Sequence, residues 1–219
     1  NEKNRELMLA AQAERDRLTS LINNISDEVW FTDANRQFTL ANPAAVREFK
    51  LNSAISTIDK LATDIEVLRP DGTPRPIEEA PPLRALQGEV VVSQQEIVRT
   101  PARDQLRYRE VSASPVRDNA GNIIGAVSVV RDISERKQAE RYQHLSAEIL
   151  GILNDPLSLP DAIEQILAAI KQETNFSAVG IRLESGEGFP YFTQTGFSDD
   201  FLMTENNLIA LDKEGGVCL

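Results

Sequence analysis

The spacing of hydrophobic positions changes several times along the chain, and each change marks an element. Over residues 1–26 there is no Gly or Pro, and Leu7, Ala11, Leu18, Leu21 and Ile25 fall on one seam at heptad-like spacing. The pattern predicts a long amphipathic helix. Its seam can pack on its own domain or pair with a second copy, and the regular spacing favours pairing. At Glu28 the period drops to that of strands. Glu28–Thr32 and Gln37–Ala41 read as strands around a turn at Asp33–Arg36. Asn42 before Pro43 supplies a cap and a first-turn proline, so Pro43–Phe49 is a short helix. Residues 51–68 read as short helices and connections, and Arg69–Thr73 as a tight turn. Ile77–Gln87 reads as a helix interrupted early by Pro81 and Pro82, with Gly88 at its stop.

Three longer strands follow: Val90–Thr100, Gln105–Val116 and Asn122–Arg131, with turns at Pro101–Asp104 and Asp118–Gly121. Two strands, several short helices and three strands within about 110 residues predict an α+β domain. Its centre is one five-stranded antiparallel sheet with helices on a face. Asp132-Ile-Ser-Glu135 then opens a second long helix, as a capping box with Asp in place of Ser or Thr. Its seam is Tyr142, Leu145, Ile149 and Ile152, and Gly151 is a mild weak point. After Asp155-Pro156 the pattern restarts. Ser158 is a cap, and Ile163, Ile166, Leu167 and Ile170 form a helical stripe. Ser177–Leu183 and Phe189–Thr195 read as strands around a Ser185–Gly188 turn, and Gly196–Gly216 as polar and irregular. The boundaries are therefore a helix over 1–26, a domain over 27–133, a linker helix over 134–155 and a further unit over 156–219.

Composition narrows the function. The chain has 219 residues, is 41% hydrophobic and carries a net charge of −11. Of the acidic groups, 13 lie in residues 138–219 beside only 4 basic ones, which marks a break between two modules. A chain this acidic is a poor match to a phosphate backbone, so no nucleic-acid partner is expected. No apolar run reaches membrane-spanning length, so a soluble, cytoplasmic protein without membrane contact is expected. The single Cys218 and single His144 exclude a disulfide framework, a Cys cluster or a multi-histidine metal site. His144 is expected as a solvated or interface residue, and Cys218 as an incidental thiol. Adjacent acids such as Glu78-Glu79 and Asp199-Asp200 point apart and read as solvated faces. No nucleophile stands beside a base, so the segment is not expected to be an enzyme. The start at Asn1 and the apolar ending at Val217–Leu219 suggest a segment of a longer protein.

The middle of the chain resembles the PAS sensor-domain family. The residues that carry this are Phe31-Thr-Asp33, the stretch from Phe38 to Ala45, and Arg69-Pro-Asp-Gly72. Most specific is the run SASPVRDNAGNIIGAVSVVRDISERKQA from Ser112 to Ala139. It looks like the last two PAS strands and the Asp-Ile-Thr-type ending, with Ser134 for Thr. The match covers about residues 17–137. Residues 145–219 are similar to the N-terminal half of a GAF domain, of the kind that follows PAS domains in sensor histidine kinases. Leu145–Leu150, Asp161-Ala-Ile163, Ala178–Arg182, Phe189-Pro-Tyr191 and Gly196–Asp200 carry that likeness.

The resemblance implies a sensory input segment of a signal-transduction protein, most plainly a sensor histidine kinase. Such a segment binds a small ligand or partner and passes the change through its exit helix to an output domain of the same chain. The ligand pocket falls on Trp30, Phe38, Leu83, Leu86 and Tyr108. Coupling falls on Asp132, Ile133, Ser134 and Glu135, with Asp132 leading. A homodimer is expected through Leu18, Leu21, Tyr142, Leu145 and Ile149. Haem held by an axial His is argued against, because Ile77–Gln87 contains none. A Cys-linked flavin is argued against because the only Cys is at 218. A non-covalent ligand, even a flavin stacked on Trp30, stays open beside ordinary core packing of that ring. The alternative is a ligand-free dimerisation and scaffolding module whose core is filled by its own side chains.

Overall fold

The structure is a computed structural model. It describes residues 2–50, 57–100, 102–184, 189–205, 210–211 and 217–218, with backbone only at 103, 104, 205, 210, 211, 217 and 218. The chain divides into two compact units, Asn1–Lys137 and Gln138–Leu219.

The first unit opens with helix α1 (Glu2–Asn23), none of whose residues is buried. Then come β1 (Glu28–Asp33), β2 (Phe38–Ala41), α2 (Pro43–Phe49), α3 (Ile58–Asp64) and β3 (Glu66–Leu68). A 3-10 turn over Ile77–Glu79 leads into α4 (Pro81–Leu86), and β4 (Val91–Thr100), β5 (Arg103–Arg117) and β6 (Ile123–Asp132) complete the unit. The six strands form one antiparallel sheet in the order β2-β1-β6-β5-β4-β3. The last-made strand, β6, thus lies between β1 and β5 and closes the sheet.

Two expectations need correction. The sheet has a sixth strand: Glu66–Leu68, read as connection, pairs along β4 from Glu66↔Arg99 to Leu68↔Ile97. Three residues are too few for a visible period, and the edge of β4 organises them. Pro81 does not interrupt a helix. It occupies the first turn of α4, where its missing N–H costs nothing, and the preceding residues form the separate 3-10 turn. Gly88, the expected stop, does adopt the left-handed conformation just after α4, with φ 98°.

The core sits between one sheet face and the short helices. Trp30, Phe38, Phe49, Ile58, Leu83, Val111 and Val130 form its main cluster. Trp30 meets Phe38 at 4.8 Å between ring centroids and Phe49 edge-on at 5.1 Å. The Asp118–Gly121 turn holds by side-chain mimicry of a backbone bond: Asp118 Oδ1 accepts from the N–H groups of Ala120 and Asn122 at 2.9 and 2.8 Å.

The second unit holds α5 (Ser134–Asn154, which begins in the first unit), α6 (Leu159–Thr174), β7 (Val179–Arg182), β8 (Tyr191–Thr195) and α7 (Asp199–Glu205). Two short paired strands, β9 (Ala210–Leu211) and β10 (Val217–Cys218), follow. Ser158 caps α6 as expected, and the helix buries Ala162, Leu167 and Ala169. The stretch after Gly196 is not uniformly irregular. Ser198 Oγ accepts from the Phe201 N–H at 3.3 Å and Phe201 stacks on Phe197 at 4.9 Å, which fixes α7. The Ser185–Gly188 turn, and residues 206–209 and 212–216 of that stretch, lie outside the described residues.

Candidate functional site

Strand alternation places one row of side chains under the helices. Cross-strand register puts Glu96 of β4 opposite Arg109 of β5, Val111 opposite Val130 of β6, and Ser128 opposite Trp30. These residues, with Phe38, Phe49, Ile58 and Ile77, line a cavity of about 90 Å³. Arg75, which follows the Arg69–Thr73 turn, also lines it. Its backbone N–H donates to the Val67 carbonyl at 3.0 Å, so the new edge strand β3 is what positions it.

The lining is polarised. Trp30, Phe38 and Phe49 give an aromatic wall, and Arg75, Glu96 and Arg109 give a charged one. Arg75 and Glu96 approach to 3.5 Å with their side chains nine-tenths or more buried. Arg109 donates to Glu28 at 2.5 Å, and its guanidinium lies 5.3 Å from the Phe49 ring centre. Trp30 Nε1 also donates to Glu28, at 3.2 Å. Burial pushes the Glu28 carboxyl above its ordinary range, although the Arg109 charge and the indole N–H pull the other way.

The charged wall is incompletely satisfied. Nε of Arg75, Nε of Arg109 and Oγ of Ser128 are buried without a hydrogen-bond partner among the described residues, and Arg75 Nη1 and Glu96 Oε2, the two atoms of the 3.5 Å ion pair, make no hydrogen bond either. Burying such groups is unfavourable, and their concentration around one cavity distinguishes it from the rest of the core.

Next to this cavity lies the junction with the exit helix. The Ile133 N–H donates to the Tyr108 carbonyl at 2.9 Å, and Ser134 Oγ accepts from the Tyr108 N–H at 3.1 Å. Asp132 Oδ1 accepts from the Ser134 N–H at 2.9 Å, and its other oxygen pairs with Arg107. Arg107 also pairs with Glu48 of α2, which accepts from the Thr100 hydroxyl. The expected capping box is therefore corrected. The helix starts at Ser134, Asp132 takes an N–H only two residues on, and Glu135 is exposed. A polar cleft of about 390 Å³ borders both Glu28 and Asp132, with Asp27, Arg47, Glu48 and Arg107 around it.

The N-terminal junction turns on Asn42, which is fully buried. Its Oδ1 accepts from Val29 and Ala45 at 3.0 and 3.1 Å, and its Nδ2 donates to the carbonyls of Ile25 and Asp27 at 3.1 and 2.9 Å. One side chain thus ties the exit of α1 to β1 and to the start of α2.

Of the pocket residues expected from sequence, Trp30 and Phe38 line the cavity. Leu83 is buried in the same cluster and Leu86 packs against it, but neither reaches the cavity. Tyr108 is also absent from the lining, because it alternates with the inward-facing Arg109. Arg75, Glu96, Arg109 and Ser128 were not anticipated. A signal existed in β5, where the apolar positions Val111 and Ala113 set the inward phase and carry it back to Arg109. On the helices, Leu18, Leu21 and Tyr142 are exposed, and Leu145 and Ile149 are half-buried. His144 is exposed, as expected, and the Cys218 side chain lies outside the described residues. Glu79 is not merely solvated, because it pairs with Arg69 at 2.7 Å. Among the described residues no cluster of His, Cys, Asp and Glu could hold a metal ion, and no helix is long and apolar enough to cross a membrane.

An antiparallel sheet with one face roofed by short helices over a small, partly polar cavity defines an α+β domain. The family model for the PAS fold matches residues 22–138, and the chain belongs to that family. Solved structures similar to it include the PAS domain of BvgS from Bordetella pertussis. It is 21% identical, with 64% of this chain and 98% of that chain covered and a TM-score of 0.41. The PAS domain of an HTR-like protein from Haloarcula marismortui is 17% identical, covering 60% and 99% with a TM-score of 0.41. A sensory box histidine kinase/response regulator from Burkholderia thailandensis is 18% identical, covering 61% and 97% with a TM-score of 0.41. No curated protein matches the chain.

Proposed function

We propose that this chain is a sensory input segment whose PAS domain binds a small ligand in the cavity beneath α2 to α4. The observation that carries the reading is the set of buried polar atoms without a hydrogen bond on Arg75, Glu96, Arg109 and Ser128, residues that all line one cavity with an aromatic wall. Transmission runs from Arg109 to Glu28, across the polar cleft to Arg107 and Asp132, and so into α5. Asp132, Ile133 and Ser134 are the coupling residues. They join the exit helix to the backbone of Tyr108, one residue from Arg109.

The segment itself is not catalytic and works as a homodimer in the cytoplasm, with Leu18, Leu21, Tyr142, Leu145 and Ile149 in the paired helices. The second unit is the opening half of a GAF domain, supported by a capped helix on an antiparallel strand pair. The parent protein is a signal-transduction protein of the sensor histidine kinase kind. The test is a fragment screen by NMR on the whole chain. Binding is expected to move the Trp30 indole signal and to alter hydrogen exchange at Ser134. Fragments that bind without any effect at Ser134 would remove the transmission route, and no binding at the cavity would remove the sensor reading.

One observation favours a second reading. Trp30, Phe38 and Phe49 already fill the middle of the core with edge and tilted contacts, as a ligand-free dimerisation module would require. In that case sedimentation shows a dimer that Leu18→Glu with Leu145→Glu abolishes, while no fragment enters the cavity.

A further inference from the structure

The charges around the cavity specify what kind of ligand it takes. Arg75 is matched by Glu96 on the cavity wall and Arg109 by Glu28 outside the lining, so each cation at the cavity already has an anion. The atoms without a hydrogen bond are of both kinds. Arg75 Nε and Arg109 Nε offer N–H donors and Ser128 a hydroxyl, while Arg75 Nη1 and Glu96 Oε2 face each other at 3.5 Å as an ion pair without a hydrogen bond, so each can still make one. Glu96 and Arg109 are direct cross-strand partners, so donor and acceptor lie side by side on one wall. Trp30, Phe38 and Phe49 form the apolar wall.

We infer that the cavity takes a compact, uncharged ligand whose one polar edge carries both a carbonyl-type acceptor and an N–H or O–H donor, with an apolar body behind it. The inference rests on the reading of the cavity as a ligand site. The acceptor meets Arg75 and Arg109, the donor meets Glu96 and Ser128, and the body packs on the aromatic wall. An anion would satisfy the arginines but add an unmatched charge beside Glu96. A cation would meet the mirror problem at Arg75 and Arg109. Either excess charge is costly away from water. A pure hydrocarbon would leave every group that lacks a hydrogen bond as it is. The space of about 90 Å³ holds on the order of six to nine water-sized groups, which sets the ligand at the size of a single small ring.

The test uses three probes of that size on the whole chain at neutral pH, followed by NMR of the Trp30 indole and the Val111 and Val130 methyls. δ-Valerolactam has donor and acceptor on one edge, N-methyl-δ-valerolactam lacks the donor, and cyclopentanecarboxylate is the anion. The lactam is expected to bind at least tenfold more tightly than either of the others, and Ser128→Ala to weaken it severalfold. Glu96→Gln removes one anion and is expected to shift the ratio at least tenfold toward the carboxylate. Tighter binding of the carboxylate or the N-methyl compound to the parent chain overturns the ligand class and leaves the ligand site standing. No shift at Trp30, Val111 or Val130 with any probe overturns the site as well. Should Glu96→Gln fail to fold, the order of the probes on the parent chain and on Ser128→Ala decides.

Discussion

Arg109–Glu28 and Arg69–Glu79 are chemically the same pair in two settings. The first lies under α2 with its side chains 4% and 12% exposed, and the second stands on the surface with 37% and 47%. At the surface, water screens the charges and returns most of what the pair would gain, so such pairs contribute little. Inside, both charges have been taken out of water, and the attraction between them has to offset that cost. The two carboxyls respond in opposite directions. The Arg69 guanidinium, bonding directly, holds Glu79 below the ordinary range, whereas burial raises Glu28. The same two residue types thus serve as a surface clasp in one place and as a buried, partly unsatisfied pair in the other.

The sharpest way to break this comparison is to remove the buried cation. Arg109→Met leaves Glu28 without its charge partner and is expected to cost about 3–5 kcal/mol, measured by urea denaturation. Adding Glu28→Gln should recover much of that loss. A cost below about 1 kcal/mol would mean that water reaches the pair and that it behaves as a surface one. Asn42→Ala extends the test to a neutral buried group with full partners. Its several bonds to the N-terminal junction should cost about 2–3 kcal/mol together when their partners are left unsatisfied. Hydrogen exchange should rise first at Val29 and Ala45.

Asp132→Ala should cost less, about 0.5–2 kcal/mol, as for the loss of a helix-end bond. Its larger effect is expected on output: in the full-length parent, the response to stimulus should fall more than the thermal midpoint. An unchanged response with a lowered midpoint would make Asp132 a structural residue only.

The pH dependence carries the comparison into titration. The folded value of Glu28 is raised, so between the ordinary Glu range and that value the folded state holds more protons than the unfolded one. Stability from this group is complete below the ordinary range and declines as pH rises through the raised value. Glu79 and Asp118 are lowered, so their contribution is present above the ordinary carboxyl range and is lost as pH falls through their folded values. Glu28→Gln should therefore remove the decline on the alkaline side of the ordinary Glu range and leave the acid limb intact. A decline that persists in Glu28→Gln belongs to another group. The smallest effect is expected for Arg69→Ala, whose midpoint should stay close to that of the parent. A loss comparable to that of Arg109→Met would erase the distinction between the pairs.

The helices teach the same lesson with apolar groups. The stripe of α6 and the seams of α1 and α5 look alike in sequence. Yet α6 buries Ala162, Leu167 and Ala169, while α1 and α5 bury nothing. Periodicity tells which face of a helix is apolar but not whether anything within the same chain covers it.

Local signals determined much of this protein. The Asn42-Pro43 cap, the Asp118–Gly121 turn, the Ser158 cap and the three long strands were legible because each is set by residues within a few positions of one another. So was membership of the PAS fold, which rests on turn, strand and exit-helix motifs in a set order. Tertiary structure decided the site. Strand β3 exists only because β4 offers an edge, and Arg75 is held by its backbone bond to β3 and its ion pair with Glu96 of β4. Glu96 and Arg109 lie 13 positions apart in sequence and become neighbours through register. Glu28 lies 81 positions from Arg109 and meets it only because β6 inserts between β1 and β5. Tyr108 and Arg109 are both large residues on one strand, and only the choice of buried face separates pocket from outer surface. Charges that composition assigns to solvent were brought inside by non-local pairing, which no window along the chain can reveal.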